Sequence, residues 1–365
     1  MKTLTRLAII GGSAALAMAL SGPALAAYTP KLDVSVPNGL GAAGKTSIHL
    51  SIAPTDDGTA RLVAYSPIRF TANAGTPGTT IGAVNAKVRA GDLGGAIVPV
   101  PGTIEVRDAS GTALIGGVPV PLATLAVGCT GTATHTAFWV LKLNAAGSSL
   151  ELASFFDQTT GGEAALGSSK LTFCLPPDDI PPGTPGRSPL GIKLVDALLL
   201  FNSGTYTNAS TAGQYIWASI WTPYNPGAGT PNAAGTVTAV SVTPLPIALT
   251  LKGAFTKKTK SAALAGKISI AGQFQAGVKL PLFSGPKKTG LKQTGSTGAT
   301  TATGVFAAVK KMVKTTYYQV RFAIPAVDQP SICAALPAVG LPKCVSASVG
   351  GFAVLSNIVK VTFQK

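Results

Sequence analysis

Glycine and proline interrupt this chain so often that few long helices could survive in it. The 43 Gly and 27 Pro break helices but suit turns between short strands. The residues between the breaks agree. Ser47-Ile48-His49-Leu50-Ser51-Ile52 and Thr103-Ile104-Glu105-Val106-Arg107 alternate apolar and polar side chains with the period of two that marks a half-buried strand. Phe138-Trp139-Val140-Leu141-Lys142-Leu143 and Lys170-Leu171-Thr172-Phe173 read as strands too. Turn clusters stand at Asp56-Asp57-Gly58, Asp108-Ala109-Ser110-Gly111 and Asn225-Pro226-Gly227. The Pro-rich segment from Pro176 to Pro189 reads as a long ordered loop or an exposed spacer. An all-β fold of two β-sandwich-like domains is expected.

The first residues carry a different pattern. Lys2 and Arg6 give a short positive region, Leu7 to Leu20 is uncharged and apolar, and Ser21-Gly22-Pro23 breaks the run before Ala24-Leu25-Ala26. That order is the signature of a secretory signal peptide. The apolar run falls short of the roughly 20 residues that a membrane-spanning helix needs. Residues 1–26 are therefore expected to be cleaved, leaving a bacterial exported protein, secreted or at the cell surface, with no transmembrane segment. Ala109 to Leu141 is uncharged and long enough to span, but Pro119, Pro121 and repeated glycines assign it to buried strands. An outer-membrane barrel is disfavoured by the 6% aromatic content and the final Lys365.

Charge divides the rest. Residues 28–240 hold 11 Lys+Arg and 12 Asp+Glu, whereas residues 241–365 hold 16 Lys+Arg against one acid, Asp328. The expected division is a domain over 27–242, a short Pro linker at 243–246 (Thr243-Pro244-Leu245-Pro246) and a basic domain over 247–365. Cysteines follow the same split. Cys129 and Cys174 lie in the first part and Cys333 and Cys344 in the second, so local disulfides are expected in an exported chain.

In the basic part, Leu249-Thr250-Leu251, Gly266-Lys267-Ile268-Ser269, Thr315-Thr316-Tyr317-Tyr318 and Ser356-Asn357-Ile358-Val359-Lys360-Val361 follow one another as short strands. This order resembles the Ig-like modules of secreted actinobacterial proteins and covers about the last third of the chain. The resemblance implies an Ig-like sandwich. In the first part, Cys174-Leu175-Pro176-Pro177 and Trp221-Thr222-Pro223-Tyr224-Asn225-Pro226-Gly227 resemble segments of uncharacterised exported proteins from the same bacteria. That likeness implies a secreted sandwich and no activity.

Gly39-Leu40-Gly41-Ala42-Ala43-Gly44-Lys45-Thr46 satisfies both phosphate-binding glycine patterns. Those patterns work only where a helix follows to present its N-terminal amides, and here another strand follows. A hairpin turn is expected. His49 and His135 lie in no catalytic motif, so no catalytic residue is expected and the protein reads as non-enzymatic. Asp56-Asp57-Gly58 and Asp178-Asp179 are the best calcium candidates, but Asp-Gly is first a turn dipeptide. No metal or cofactor is expected.

Two binding surfaces remain. Tyr215, Trp217 and Trp221 are evenly spaced, so on a strand they share one face. They would fill a core or, as the alternative, form a platform that stacks on sugar rings. The lysines of the second part cluster as Lys257, Lys258 and Lys260; Lys287, Lys288 and Lys292; and Lys310, Lys311 and Lys314. Such a field attracts polyanions through counterion release. Outside a cell these are anionic envelope polymers or glycans. No aromatic-interleaved motif points to specific nucleic acid. The function expected is a cell-envelope or extracellular binding or structural protein, with carbohydrate binding by the aromatic face as the alternative.

Overall fold

The computed structural model describes residues 28–145, 148–324, 327–329, 347–349 and 352–364. The expected signal peptide and the Cys333–Cys344 pair lie outside these residues. Strands make up 55% and helices 8%, so the fold is all-β.

The first strands are β1 (Lys31–Ser35), β2 (Thr46–Ser51), β3 (Thr59–Ser66), β4 (Thr71–Ala72), β5 (Thr80–Ala90), β6 (Ala96–Arg107), β7 (Thr112–Ile115) and β8 (Val118–Pro121). A helix, α1 (Leu122–Thr130), comes before β9 (Ala137–Ala145), β10 (Ser148–Gln158) and β11 (Ser169–Cys174). Then follow β12 (Ile192–Phe201), β13 (Tyr206–Thr207), β14 (Gly213–Pro223) and β15 (Val237–Leu245). Eleven of these strands form one antiparallel sheet in the order β1-β2-β12-β5-β6-β9-β10-β11-β3-β14-β15.

The sheet curls until its ends meet, for the Val34 amide on β1 donates to Ser241 Oγ on β15 at 3.0 Å. Alternation explains why. Ile48 and Leu50 on β2, Val84, Ala86 and Val88 on β5, and Ala197, Leu199 and Phe201 on β12 all enter one buried cluster. An apolar face this wide is hidden by wrapping the sheet around itself. Aromatic rings fill the interior in a continuous chain. Tyr215 meets Phe70 (5.3 Å), Phe70 meets Trp217 (5.6 Å) and Trp217 meets Tyr206 (5.3 Å). Tyr206 then meets Phe201 (5.2 Å), Phe201 meets Trp139 (5.6 Å) and Trp139 stacks on Phe156 (4.6 Å).

The region between β6 and β9 departs from the expected buried strands. β7 and β8 form a hairpin, and α1 follows it across the outer face of β9 and β10, over Phe138, Val140 and Phe155. Leu122 and Ala126 supply the buried stripe, and Gly131 at φ 78° closes the helix by donating to Val127 O. Nothing in Leu122–Thr130 interrupts a helix with proline, because Pro121 is the last proline before Pro176. Two links fix this excursion. Cys129 is bonded to Cys174 at the end of β11. Arg107 grips the buried Glu151 with two hydrogen bonds, 2.8 and 2.5 Å, while the Leu114 amide donates to Glu151 Oε2 at 2.8 Å.

The later strands are β16 (Ile247–Thr256), β17 (Ser261–Ile270), β18 (Gln273–Phe274), β19 (Lys279–Gly285), β20 (Lys292–Ala299) and β21 (Val305–Lys311). They continue with β22 (Thr316–Ile324), β23 (Val327–Gln329), β24 (Ala347–Val349), β25 (Phe352–Leu355) and β26 (Val359–Val361). One sheet contains β16, β17, β18 and β21, and a second contains β20, β19, β22, β25 and β26. Leu249, Leu251, Leu264 and Ile268 of the first sheet pack with Leu280, Leu282, Val320 and Val361 of the second in a buried cluster of their own.

The expected linker needs correction. Thr243, Pro244 and Leu245 continue β15, where Thr243 pairs with Tyr215 and Leu245 with Gly213, so Pro246 alone separates β15 from β16. A proline is tolerated there because β15 is the terminal strand of the sheet. The junction is clasped by Asn38, whose side chain donates to Ile247 O and accepts from the Ile247 amide at 2.6 Å.

Two stability predictions follow from this packing. Trp139 Nε1 donates to Ala74 O at 2.7 Å, whereas Trp217 Nε1 is buried without a hydrogen-bond partner among the described residues. Trp139→Phe should therefore cost about 1 kcal/mol more than Trp217→Phe, the penalty of losing a hydrogen bond to a half-buried carbonyl, as read from urea unfolding. Burial raises the Glu151 carboxyl, but the Arg107 hydrogen bonds and the Leu114 amide outweigh it and hold its pKa below the ordinary 4.5. The stability gained is then full above pH 4.5 and is lost as pH falls through the lowered value. Glu151→Gln should be less stable than wild type at neutral pH, and acid titration of the unfolding free energy should narrow that gap.

Candidate functional site

The three lysine groups lie far apart in sequence but meet at one end of the two later sheets. Lys257, Lys258 and Lys260 occupy the turn between β16 and β17, closed by the Thr256–Ser261 pair. Beside that turn, Lys311 pairs with Ser261 and Lys310 with Ala262, and the Met312 amide donates to Lys260 O at 2.9 Å. Lys310 Nζ crosses to Thr294 O on β20 at 3.1 Å, which brings the opposite sheet to the same place. There, Lys292 pairs with Ser284 at the mouth of the β19–β20 hairpin, and Lys287 and Lys288 sit in its turn. Lys314 lies on the β21–β22 connection, just before Tyr317 pairs with Gly285 at the end of β19.

Eight of the nine lysines are exposed and Lys310 is half-buried. Among the described residues, none of them takes part in an ion pair, and no acid occurs anywhere between Ser241 and Val327. Each ammonium therefore keeps free donors, and the charges add within about one Debye length, ~8 Å at physiological salt. One lysine escaped the sequence reading. Lys360 pairs with Tyr317 at the same end and is exposed. The terminal strand's register carried that signal, and clustering along the chain could not show it.

The aromatic row takes the other course. Tyr215, Trp217 and Trp221 are 7%, 1% and 2% exposed, inside the curled sheet. Phe70 and Tyr206 pack against Tyr215 and Trp217, and Trp221 is buried beside them, so none of the three can stack on a sugar and the carbohydrate platform on these residues is withdrawn. Burial follows from parity, because the same period that aligns the three side chains also aligns them with the inward face of β14.

The remaining motifs settle into structure. Gly39–Thr46 is the connection between antiparallel β1 and β2, and no helix follows it. The two acidic segments meet, since a Cβ on Gly58 would lie 2.0 Å from Asp178 Oδ1. One carboxylate of each segment is already engaged, however. Asp56 Oδ2 accepts from the Thr29 and Ala53 amides, and Asp179 Oδ2 accepts from the Gly227 amide at 2.5 Å. Among the described residues, no group of three or more metal-ligating side chains is assembled. His49 Nε2 lies 2.8 Å from Asp196 Oδ2 on the outer face of the sheet. His135 bridges Asp157 Oδ2 (2.8 Å) and Thr130 Oγ1 (2.9 Å). Thr130 Oγ1 also bonds Ala126 O one helical turn back, and Phe138 and Phe155 pack on the His135 ring. This chain of bonds secures the end of α1.

No protein-family model matches the chain, and no curated protein sequence matches it significantly. Among the described residues, no helix is long and apolar enough to cross a membrane.

Burial of all three tryptophans, at 0%, 1% and 2% exposure, is directly measurable. Iodide should leave the tryptophan emission of the folded protein nearly unquenched and should quench it strongly after unfolding in urea. Strong quenching of the folded protein would return Trp217 and Trp221 to the surface.

Proposed function

We propose that this is an exported, non-enzymatic binding protein of the cell envelope or extracellular space. In this reading the lysine-bearing end of its basic, Ig-like part holds it to anionic envelope polymers. The observation that supports this most is the meeting of nine lysines from three separated segments at one end of two sheets, with no acid among them. Lysines serving only solubility would be expected to scatter over the surface and to block sheet edges. Here six of the nine lie in connecting turns and the other three at adjoining strand ends, where long side chains sweep solvent and reach a flexible polymer. The leader-like first residues provide the setting in which such polymers occur.

The pairing is electrostatic and carries little sequence or stereochemical selectivity. Compact ammonium groups on flexible stems recognise charge density more than shape. Affinity should therefore follow the number of phosphate or carboxylate groups engaged and weaken steeply with salt.

The experiment is sedimentation of the mature chain with purified bacterial envelopes. Binding at 50 mM salt should fall on the order of a thousandfold by 200 mM if six or more anionic groups are engaged. Charge reversal by Lys257→Glu, Lys258→Glu and Lys287→Glu together should abolish low-salt binding and leave the urea midpoint unchanged. Binding that ignores salt, or survives the triple reversal, would overturn the electrostatic reading.

A further inference from the structure

A second feature of the molecule has the opposite physical character. β11 pairs with β10 only from Ser154 to Gln158, so the first half of β10 is laddered on the β9 side alone. β11 stops there because Pro176 and Pro177 follow, neither able to donate to a ladder, and because Cys174 is tied to α1. The gap opens the wall of the curled sheet. A cavity of about 340 Å³ occupies it, extending from Val88, Leu152 and Leu194 of the strands to Leu125 and the Cys129–Cys174 disulfide beneath α1.

The cavity is mostly apolar, with Thr59, Thr124 and Ser188 among its lining. Of the charged residues that line it, Glu151 is already held by Arg107 and the Leu114 amide, which leaves Lys193 and Asp178. Lys193 reaches this position through a bulge in β12, whose pairing with β5 shifts between Leu194 and Asp196. Its ammonium is buried and donates to Pro54 O at 3.0 Å and Asp56 O at 2.5 Å, leaving one of three donors unassigned. Asp178 is half-buried, and burial pushes its carboxyl above the ordinary value. Neither group has an ion-pair partner within 4 Å among the described residues. A donor and an acceptor of opposite charge thus share one end of an otherwise oily space.

We propose that this cavity is a binding site for a single medium-length aliphatic chain ending in an uncharged hydroxyl or amide group. At about 30 Å³ for each water-sized group, 340 Å³ accommodates on the order of eleven groups in line. An aliphatic chain matches the lining, which offers carbon surface and few hydrogen-bonding groups. A hydroxyl or primary amide accepts from Lys193 and donates to Asp178 at once. A carboxylate satisfies Lys193 but is repelled by Asp178, and a plain hydrocarbon leaves both without a partner. The site is independent of the lysine-bearing end, since every residue named here precedes Thr243.

Isothermal titration of the mature chain at pH 7.5 with 1-decanol and with decanoate tests the assignment. One equivalent of 1-decanol should bind, and decanoate should bind at least tenfold more weakly. Leu125→Trp, which fills the cavity from the helix side, should weaken 1-decanol at least tenfold with the urea midpoint unchanged. Thr124→Phe on the exposed edge of the same helix should do likewise, which guards against a variant that fails to fold. Asp178→Asn should strengthen decanoate at least tenfold. Absence of 1-decanol binding to the wild type, or undiminished binding in both cavity-filling variants, overturns the site. Decanoate binding as tightly as 1-decanol, or showing no gain in Asp178→Asn, overturns the assignment of the polar end.

Discussion

The packing of aromatic rings inside the curled sheet is the interaction on which the other features of the first part depend. Six ring contacts run from Tyr215 through Phe70, Trp217, Tyr206, Phe201 and Trp139 to Phe156. They join β14, β12, β9 and β10, which lie on different arcs of the sheet, through Tyr206 of the short β13–β4 pair. Large flat side chains contribute much buried area and prefer edge-to-face contacts. Such contacts favour a closed interior over an open sheet with one wet face. Closure brings β1 to β15, and that places the start of β16 beside Asn38, which clasps Ile247.

Closure also leaves a defect with consequences. A sheet of eleven strands needs every neighbour paired along its length, and β11 is too short to pair with all of β10. The excursion carrying β7, β8 and α1 covers the outer face there, held by the disulfide and the Arg107–Glu151 clip. The result is a covered apolar space with a polar end. The lysine-bearing end inverts each of these properties, because it is exposed, charged and built from turns. A reach into solvent suits a polymer, and an apolar recess suits a small molecule. The two regions therefore need not share a ligand.

Much of this was legible in the sequence. Alternation at residues 47–52 and 103–107 and the turns along the chain marked strands, and the absence of a following helix disposed of the Gly39–Thr46 motif. The change of charge falls near residue 246, where β15 gives way to β16, but the nature of that segment was not legible. Its two prolines looked like a linker, and the first proved to lie in an edge strand. Helix α1 was hidden because nine residues of helix leave a weak periodic signal. The lysine clusters were visible as clusters, but their meeting required Lys310 to reach Thr294 across two sheets.

By itself the sequence determined the local facts. Period two decides which side chains share a face, glycine and proline decide where strands stop, and the basic composition decides the sign of the field. Only the tertiary structure decided which face is inside. Tyr215, Trp217 and Trp221 share a face whether that face meets sugar or core, and the curl of the sheet made it core. The cavity likewise depends on a bulge at Val195 and a ladder that lapses at Ser154, and no spacing along the chain records either. The reason is physical: periodicity is fixed by each strand's own geometry, whereas burial, pairing and the meeting of distant turns are fixed by strands that lie far away in sequence.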